Sequence, residues 1–159
     1  MPLSKIKTNS LATGAITSAV MPAGTVIQTV TNATTGTASA KTNTSQEDVP
    51  NFSVTITPTS TSSKIYVSAS MYVFNAILAS TNVNVNLQFA RGTTILATAT
   101  CGCHTGSGGL RIRDSAGFVE LDAPATTSAI TYKVTAATSH SSSDYYISSG
   151  EIIAMEIAG

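Results

Sequence analysis

Apolar and polar side chains alternate with a period of two through most of the chain, most clearly along Asn82-Val83-Asn84-Val85-Asn86-Leu87-Gln88-Phe89. Successive side chains of a strand point to opposite faces, so this segment predicts apolar residues inward and amides outward. The same beat runs through Phe52, Val54 and Ile56, and through Ile65, Val67, Ala69, Met71 and Val73. In that last strand the opposite face carries Tyr66, Tyr72 and Phe74 among serines. One face fills a core, and the three aromatic residues of the other then need cover from a neighbouring subunit. Further strands are predicted at 25–30, 94–100, 110–113, 117–121, 129–137, 144–148 and 151–157, with one weak strand inside 31–48. Pro58 to Ser63 and Arg91-Gly92 supply turns, and the glycine-rich stretch 101–109 reads as a loop. Some eight to ten short strands with no helical interruption predict an all-β fold, an antiparallel jelly-roll-like β-sandwich.

Residues 1–24 break this beat. Ile6, Leu11, Ile16 and Met21 recur every five residues between small polar ones, a spacing that fits neither an amphipathic helix nor a simple strand. Such a segment has too little apolar surface to order itself alone. Copies running side by side could turn each fifth residue to a shared axis; a disordered leader is the competing reading. The chain therefore divides into an extended N-terminal arm, 1–24, and a sandwich domain, 25–159.

Composition sharpens the class. The 26 Thr and 21 Ser outnumber the 16 charged residues nearly threefold, which suits pleated, half-buried strands and starves helices of their usual formers. A hydrophobic fraction of 42% excludes disorder despite that polarity. The net charge of zero leaves no basic field to draw nucleic acid or anionic lipid. A surface so poor in charge tends to self-associate. Apolar runs such as Met71-Tyr72-Val73-Phe74 are too short for membrane insertion. Thr, Asn and Ser interrupt residues 1–20 where a signal peptide would need an apolar core. Extracellular composition without a visible export signal fits a virion component made in a host cytoplasm and released by lysis.

Candidate chemistry is sparse. Cys101-Gly102-Cys103-His104 offers metal-ligand types, but a structural zinc site takes four ligands, and His140 is the one further histidine. The expectation is a small-residue loop with no metal and no cofactor. Glu120 and Asp122 share a strand face as a carboxylate pair might, though a solvated strand end explains them better. No serine lies in a Gly-x-Ser-x-Gly elbow, and Gly106-Ser107-Gly108-Gly109 lacks the Lys that completes a phosphate loop. The chain gives no positive case for an enzyme. Asn82, Asn84, Tyr145 and Tyr146 are candidate ligand contacts, because amides and aromatic rings suit sugar hydroxyls and faces. The competing reading packs one tyrosine inward and sets the other at a subunit contact, with the asparagines forming amide ladders.

Four segments carry a family resemblance. Lys5-Ile6-Lys7-Thr8-Asn9-Ser10-Leu11-Ala12-Thr13-Gly14-Ala15-Ile16-Thr17 resembles the leader of phage fibre and virion-appendage proteins, and Gly24-Thr25-Val26-Ile27-Gln28 resembles the strand that follows it. Ile56-Thr57-Pro58-Thr59-Ser60-Thr61-Ser62-Ser63-Lys64-Ile65 is similar to the family's strand–turn–strand, and Met155-Glu156-Ile157-Ala158 to its last strand. The likeness is greatest to phages of cyanobacteria and other aquatic bacteria. It implies a homotrimeric, jelly-roll-like module held by its arm to capsid or tail proteins, as a head decoration or short fibre that can contact host surface glycans. It supplies no catalytic residues, and its variable middle, about 75–125, is where ligand choice would lie. A free extracellular carbohydrate-binding module is the alternative.

Overall fold

The computed structural model describes residues 21–34, 42–77, 83–103 and 110–159. Among them are eight strands and no helix: β1 (Val26–Thr34), β2 (Glu47–Ile56), β3 (Lys64–Ile77), β4 (Val83–Arg91), β5 (Thr94–Cys103), β6 (Leu110–Asp122), β7 (Ile130–Thr138) and β8 (Asp144–Ile157). β1 pairs with β8, β2 with β7, β3 with β6 and β4 with β5, all antiparallel. The nested pairs are wound into two facing sheets, β1-β8-β3-β6 and β2-β7-β4-β5. This is a jelly roll.

Two expected breaks are absent. β6 and β8 run unbroken because each follows the long β3 along its length. Ser149-Gly150, expected as a break, falls at a register shift opposite Met71 and Tyr72. β5 reaches Cys103, so the expected loop at 101–109 begins as strand, and residues 104–109 lie outside the described residues. The weak strand sought inside 31–48 is the end of β1 and the start of β2.

The inward faces follow the alternation. Ile65, Val67, Ala69, Met71 and Val73 of β3 face Val85, Leu87 and Phe89 of β4 across one core, with Phe52, Val54 and Ile56 of β2. Phe89 stacks on Phe118 of the opposite sheet at 5.5 Å and lies 6.4 Å from Tyr132. Gly150 exists for that packing: a Cβ there would sit 2.7 Å from the Phe52 ring and 2.2 Å from the Ser70 carbonyl. At the β4–β5 hairpin Gly92 takes a φ of 57°, the first central position that a type II′ turn reserves for glycine.

The β1 and β2 edges are joined by side chains. The Asn32 amide donates to the carbonyls of Asn51 and Ser53, and the Thr34 hydroxyl also donates to Asn51. Asn51 meets them with a φ of 64°, which asparagine tolerates better than most residues. Gln28 donates to the Thr57 carbonyl at 2.7 Å and to Glu156 at 2.6 Å. Glu156 is the fully buried charge of β8. Besides Gln28 it accepts from the Thr59 amide, the Thr59 hydroxyl and the Ser63 hydroxyl, each at 2.7 Å. Burial raises its pKa, but these hydrogen bonds together outweigh that and hold it below the ordinary 4.5. A carboxylate so depressed stabilises the fold above its unfolded pKa, and that stabilisation is lost as pH falls through the folded one. Denaturant unfolding should therefore show stability declining as pH falls below about 4.5. Glu156→Gln should lower stability at pH 7 by about 2–3 kcal/mol and flatten that acid limb.

Candidate binding surface on the outer face of one sheet

The two sheets present opposite kinds of surface. On the outer face of β2-β7-β4-β5 the polar residues bond to one another: Thr55 to Thr131 at 2.8 Å, Lys133 to Asp48 at 2.6 Å, Thr135 to Gln46 at 2.9 Å and Thr100 to Asn86 at 3.3 Å. The outer face of β1-β8-β3-β6 carries an apolar patch. Tyr66 has Leu121 and Met155 as its register neighbours, and Ser68 has Val119 and Ile153. Val119 is 64% exposed and Leu121 56%. Ser70, with Gly117 and Glu151 beside it, forms a row of small or polar residues above that patch.

Beyond this row the face changes character. Phe74 pairs with Arg113 on one side and Tyr146 on the other, and Tyr72 with Ser115 and Ser148. Phe74 and Tyr146 meet edge to face at 5.2 Å, and the Arg113 guanidinium lies 5.7 Å from the Phe74 ring. With Arg111, these groups line an open depression of about 430 Å³. β-strand alternation puts both arginines of Arg111-Ile112-Arg113 on one side, and pairing with β3 sets them beside the aromatic residues.

Tyr66, Tyr72 and Phe74 thus share the outer face on which the alternation placed them. The proposed ligand set is corrected. Tyr145 points inward, is 3% exposed and donates to the Ala136 carbonyl at 3.0 Å. Burial, and then the charge of Glu47, push its phenol up to about 12. It is a core residue because the strand turns alternate side chains inward, and only Tyr146 of the pair faces out. Asn84 lies on the other sheet, where its backbone amide is held by the Ser139 hydroxyl at 2.8 Å. Asn84 and Tyr146 therefore form no common site. Asn82, Ile6, Leu11 and Ile16 lie outside the described residues; Met21 borders a depression of about 270 Å³ beside Ile27, Ser62 and Ala158.

The remaining candidates are structural or beyond reach. Cys101 is a free, buried thiol whose pKa is raised by burial first and by Asp114 next. The Cys103 side chain and His104 lie outside the described residues. Among the described residues no group of three or more His, Cys, Asp or Glu could hold a metal ion, and no helix is long and apolar enough to cross a membrane. Glu120 and Asp122 do share the inner side of β6, but Asp122 is not a solvated strand end. Its oxygens accept from Arg91 at 2.8 and 3.0 Å and from the Tyr132 hydroxyl at 2.6 Å, closing one end of the core. Burial first, and Asp122 next, push the Tyr132 phenol well above its ordinary range.

No protein-family model and no curated protein sequence matches this chain. Its fold is similar to that of a chain in the structure of the infectious bursal disease virus Gx strain, with a TM-score of 0.50 and 14% identity over 83% of this chain and 33% of that one. The infectious bursal disease virus VP2 subviral particle gives a TM-score of 0.47 and 16% identity over 83% and 33%. Dimeric latent PorU from Porphyromonas gingivalis gives 0.48 and 6% over 86% and 14%. This chain spans about a third of the length of the two viral chains. At 14% identity the property shared with the Gx-strain chain is the fold.

The inward and outward tyrosines can be told apart by stability. Tyr145→Phe should cost about 1–2 kcal/mol in chemical denaturation by leaving the Ala136 carbonyl without its donor, whereas Tyr146→Phe should stay within about 0.5 kcal/mol.

Proposed function

We propose that the chain is a structural subunit of a virus particle: a homotrimeric jelly-roll appendage of a phage virion, fastened to capsid or tail proteins by residues 1–24. The observation that carries this reading is the apolar outer patch of Tyr66, Leu121, Met155, Val119 and Ile153, set against a self-bonded polar face on the other sheet. Side chains such as Leu121 gain about 25 cal/mol per Å² when they leave water, and a contiguous exposed patch of this kind marks an association surface. Such a surface suits a protein whose task is to hold to copies of itself and to a particle. The fold is consistent with it, since a virus structure supplies the likeness at a TM-score of 0.50. The phage assignment, the arm and the trimer rest on the sequence resemblance.

This reading assigns no catalysis: its work is packing. The free carbohydrate-binding module differs in what its N-terminus does. Deleting residues 1–21 should abolish incorporation into particles, read by mass spectrometry of purified virions. Val119→Lys with Leu121→Lys should also prevent incorporation while leaving the thermal unfolding midpoint within a few degrees, because both side chains are exposed. Normal incorporation of both folded variants would defeat the proposal.

A further inference from the structure

We infer that the depression bounded by Tyr72, Phe74, Arg111, Arg113, Tyr146 and Ser148 is a binding site for an anionic saccharide, a sugar ring bearing a carboxylate or sulfate group. Its volume of about 430 Å³ lies within the roughly 300–1,000 Å³ usual for small-ligand sites. The lining pairs two kinds of group that such a ligand needs together. Tyr72, Phe74 and Tyr146 offer ring surface against which the C–H face of a sugar can lie. Arg111 and Arg113 offer planar forks that match carboxylate or sulfate oxygens two at a time.

Both arginines are exposed, and neither takes part in an ion pair among the described residues, where Arg91 and Lys133 are the paired bases. Arg113 is held instead by the Phe74 ring, and Phe74 by the edge of Tyr146. The cation is thus oriented by packing while its hydrogen-bond donors stay unspent. Three adjacent strands, β6, β3 and β8, fix these positions through pairing that is unbroken between β3 and β6 and carries one register shift, at Met71/Tyr72, between β3 and β8. A site built on paired strands is more rigid than one built on loops. Asp144 stands in the same row as Arg111, on the far side of Ala76, and Glu151 in the Ser70 row below, but neither lines the depression. Ser70 and Gly117 separate it from the lower apolar patch, so an occupant here leaves that association surface free. The inference does not depend on the virion reading, although on a particle the site would serve attachment.

Calorimetric titration of the isolated full chain tests it, using 3′-sialyllactose, trigalacturonic acid, a sulfated disaccharide and lactose, with sodium sulfate and sodium acetate as bare anions. At least one charged sugar should bind about tenfold or more tightly than lactose and than either bare anion. Its affinity should fall severalfold as salt is raised from about 0.05 to 0.5 M. Arg111→Gln with Arg113→Gln, checked for an unchanged unfolding midpoint, should weaken it about tenfold or more. Preference for the carboxylated or the sulfated sugar decides which group is read. No binding of any charged sugar at about 10 mM, binding no tighter than the bare anions, or wild-type affinity in the folded double variant would overturn the inference. None of these failures bears on particle incorporation, so the proposed structural role is tested separately.

Discussion

A sheet that carries an apolar patch on its outer face has surface there that its partner sheet, which covers only the inner face, cannot dry. β3 imposes this constraint on the molecule. Its inward residues, from Ile65 to Val73, are almost wholly buried against β4 and β2. Its outward ones place Tyr66 on the opposite surface, where β6 and β8 add Val119, Leu121, Ile153 and Met155 below the row of Ser70 and Gly117. Burying an apolar side chain gains on the order of 1.5–3 kcal/mol. A surface with several such residues in water is therefore an unspent driving force. The other sheet offers less of it, because its outer threonines, amides and the Lys133–Asp48 pair satisfy one another, and Ile95 alone of its large apolar side chains among the described residues is exposed.

That sidedness needs a frame that does not open, and polar side chains supply it at the margins of the core. At one edge Gln28, Asn32 and Thr34 bond across to β2, and Glu156 gathers donors from β1 and from the β2–β3 turn. At another margin Arg91 and Tyr132 from one sheet converge on Asp122 from the other. A buried carboxylate is tolerable only when its lone pairs are filled, and both are filled from separate segments of the chain. Removing one donor therefore loosens the junction of two sheets, as well as a single bond.

Much of this was legible in residue order. Period two in 65–73 and 82–89 located β3 and β4 and their inner faces, and the bulk of Tyr66, Tyr72 and Phe74 pointed to a second apolar surface. Strand pairing was not legible, because it depends on which segments meet after some tens of intervening residues. Hence the depression was missed: Arg111 and Arg113 alternate visibly, yet only the β3–β6 register sets them beside Phe74. Asn84 and Tyr145-Tyr146 failed as one set for the same reason, since β4 and β8 lie in different sheets. The role of Glu156 was equally hidden; an acid among the apolar residues of 152–157 gives no sign of its donors at Gln28, Thr59 and Ser63. The continuity of β6 and β8 was masked at 114–116 and 149–150, which interrupt the alternation; residues 114–116 pair along β3, and Ser149 falls at the register shift.

Sedimentation equilibrium of the purified chain over a hundredfold range of concentration asks most directly whether the outer face of β8-β3-β6 drives association. The account predicts a mass that climbs with concentration toward a closed trimer, and that returns to the monomer value when Val119 and Leu121 are both made lysine. A single species of monomer mass across the whole range would contradict it.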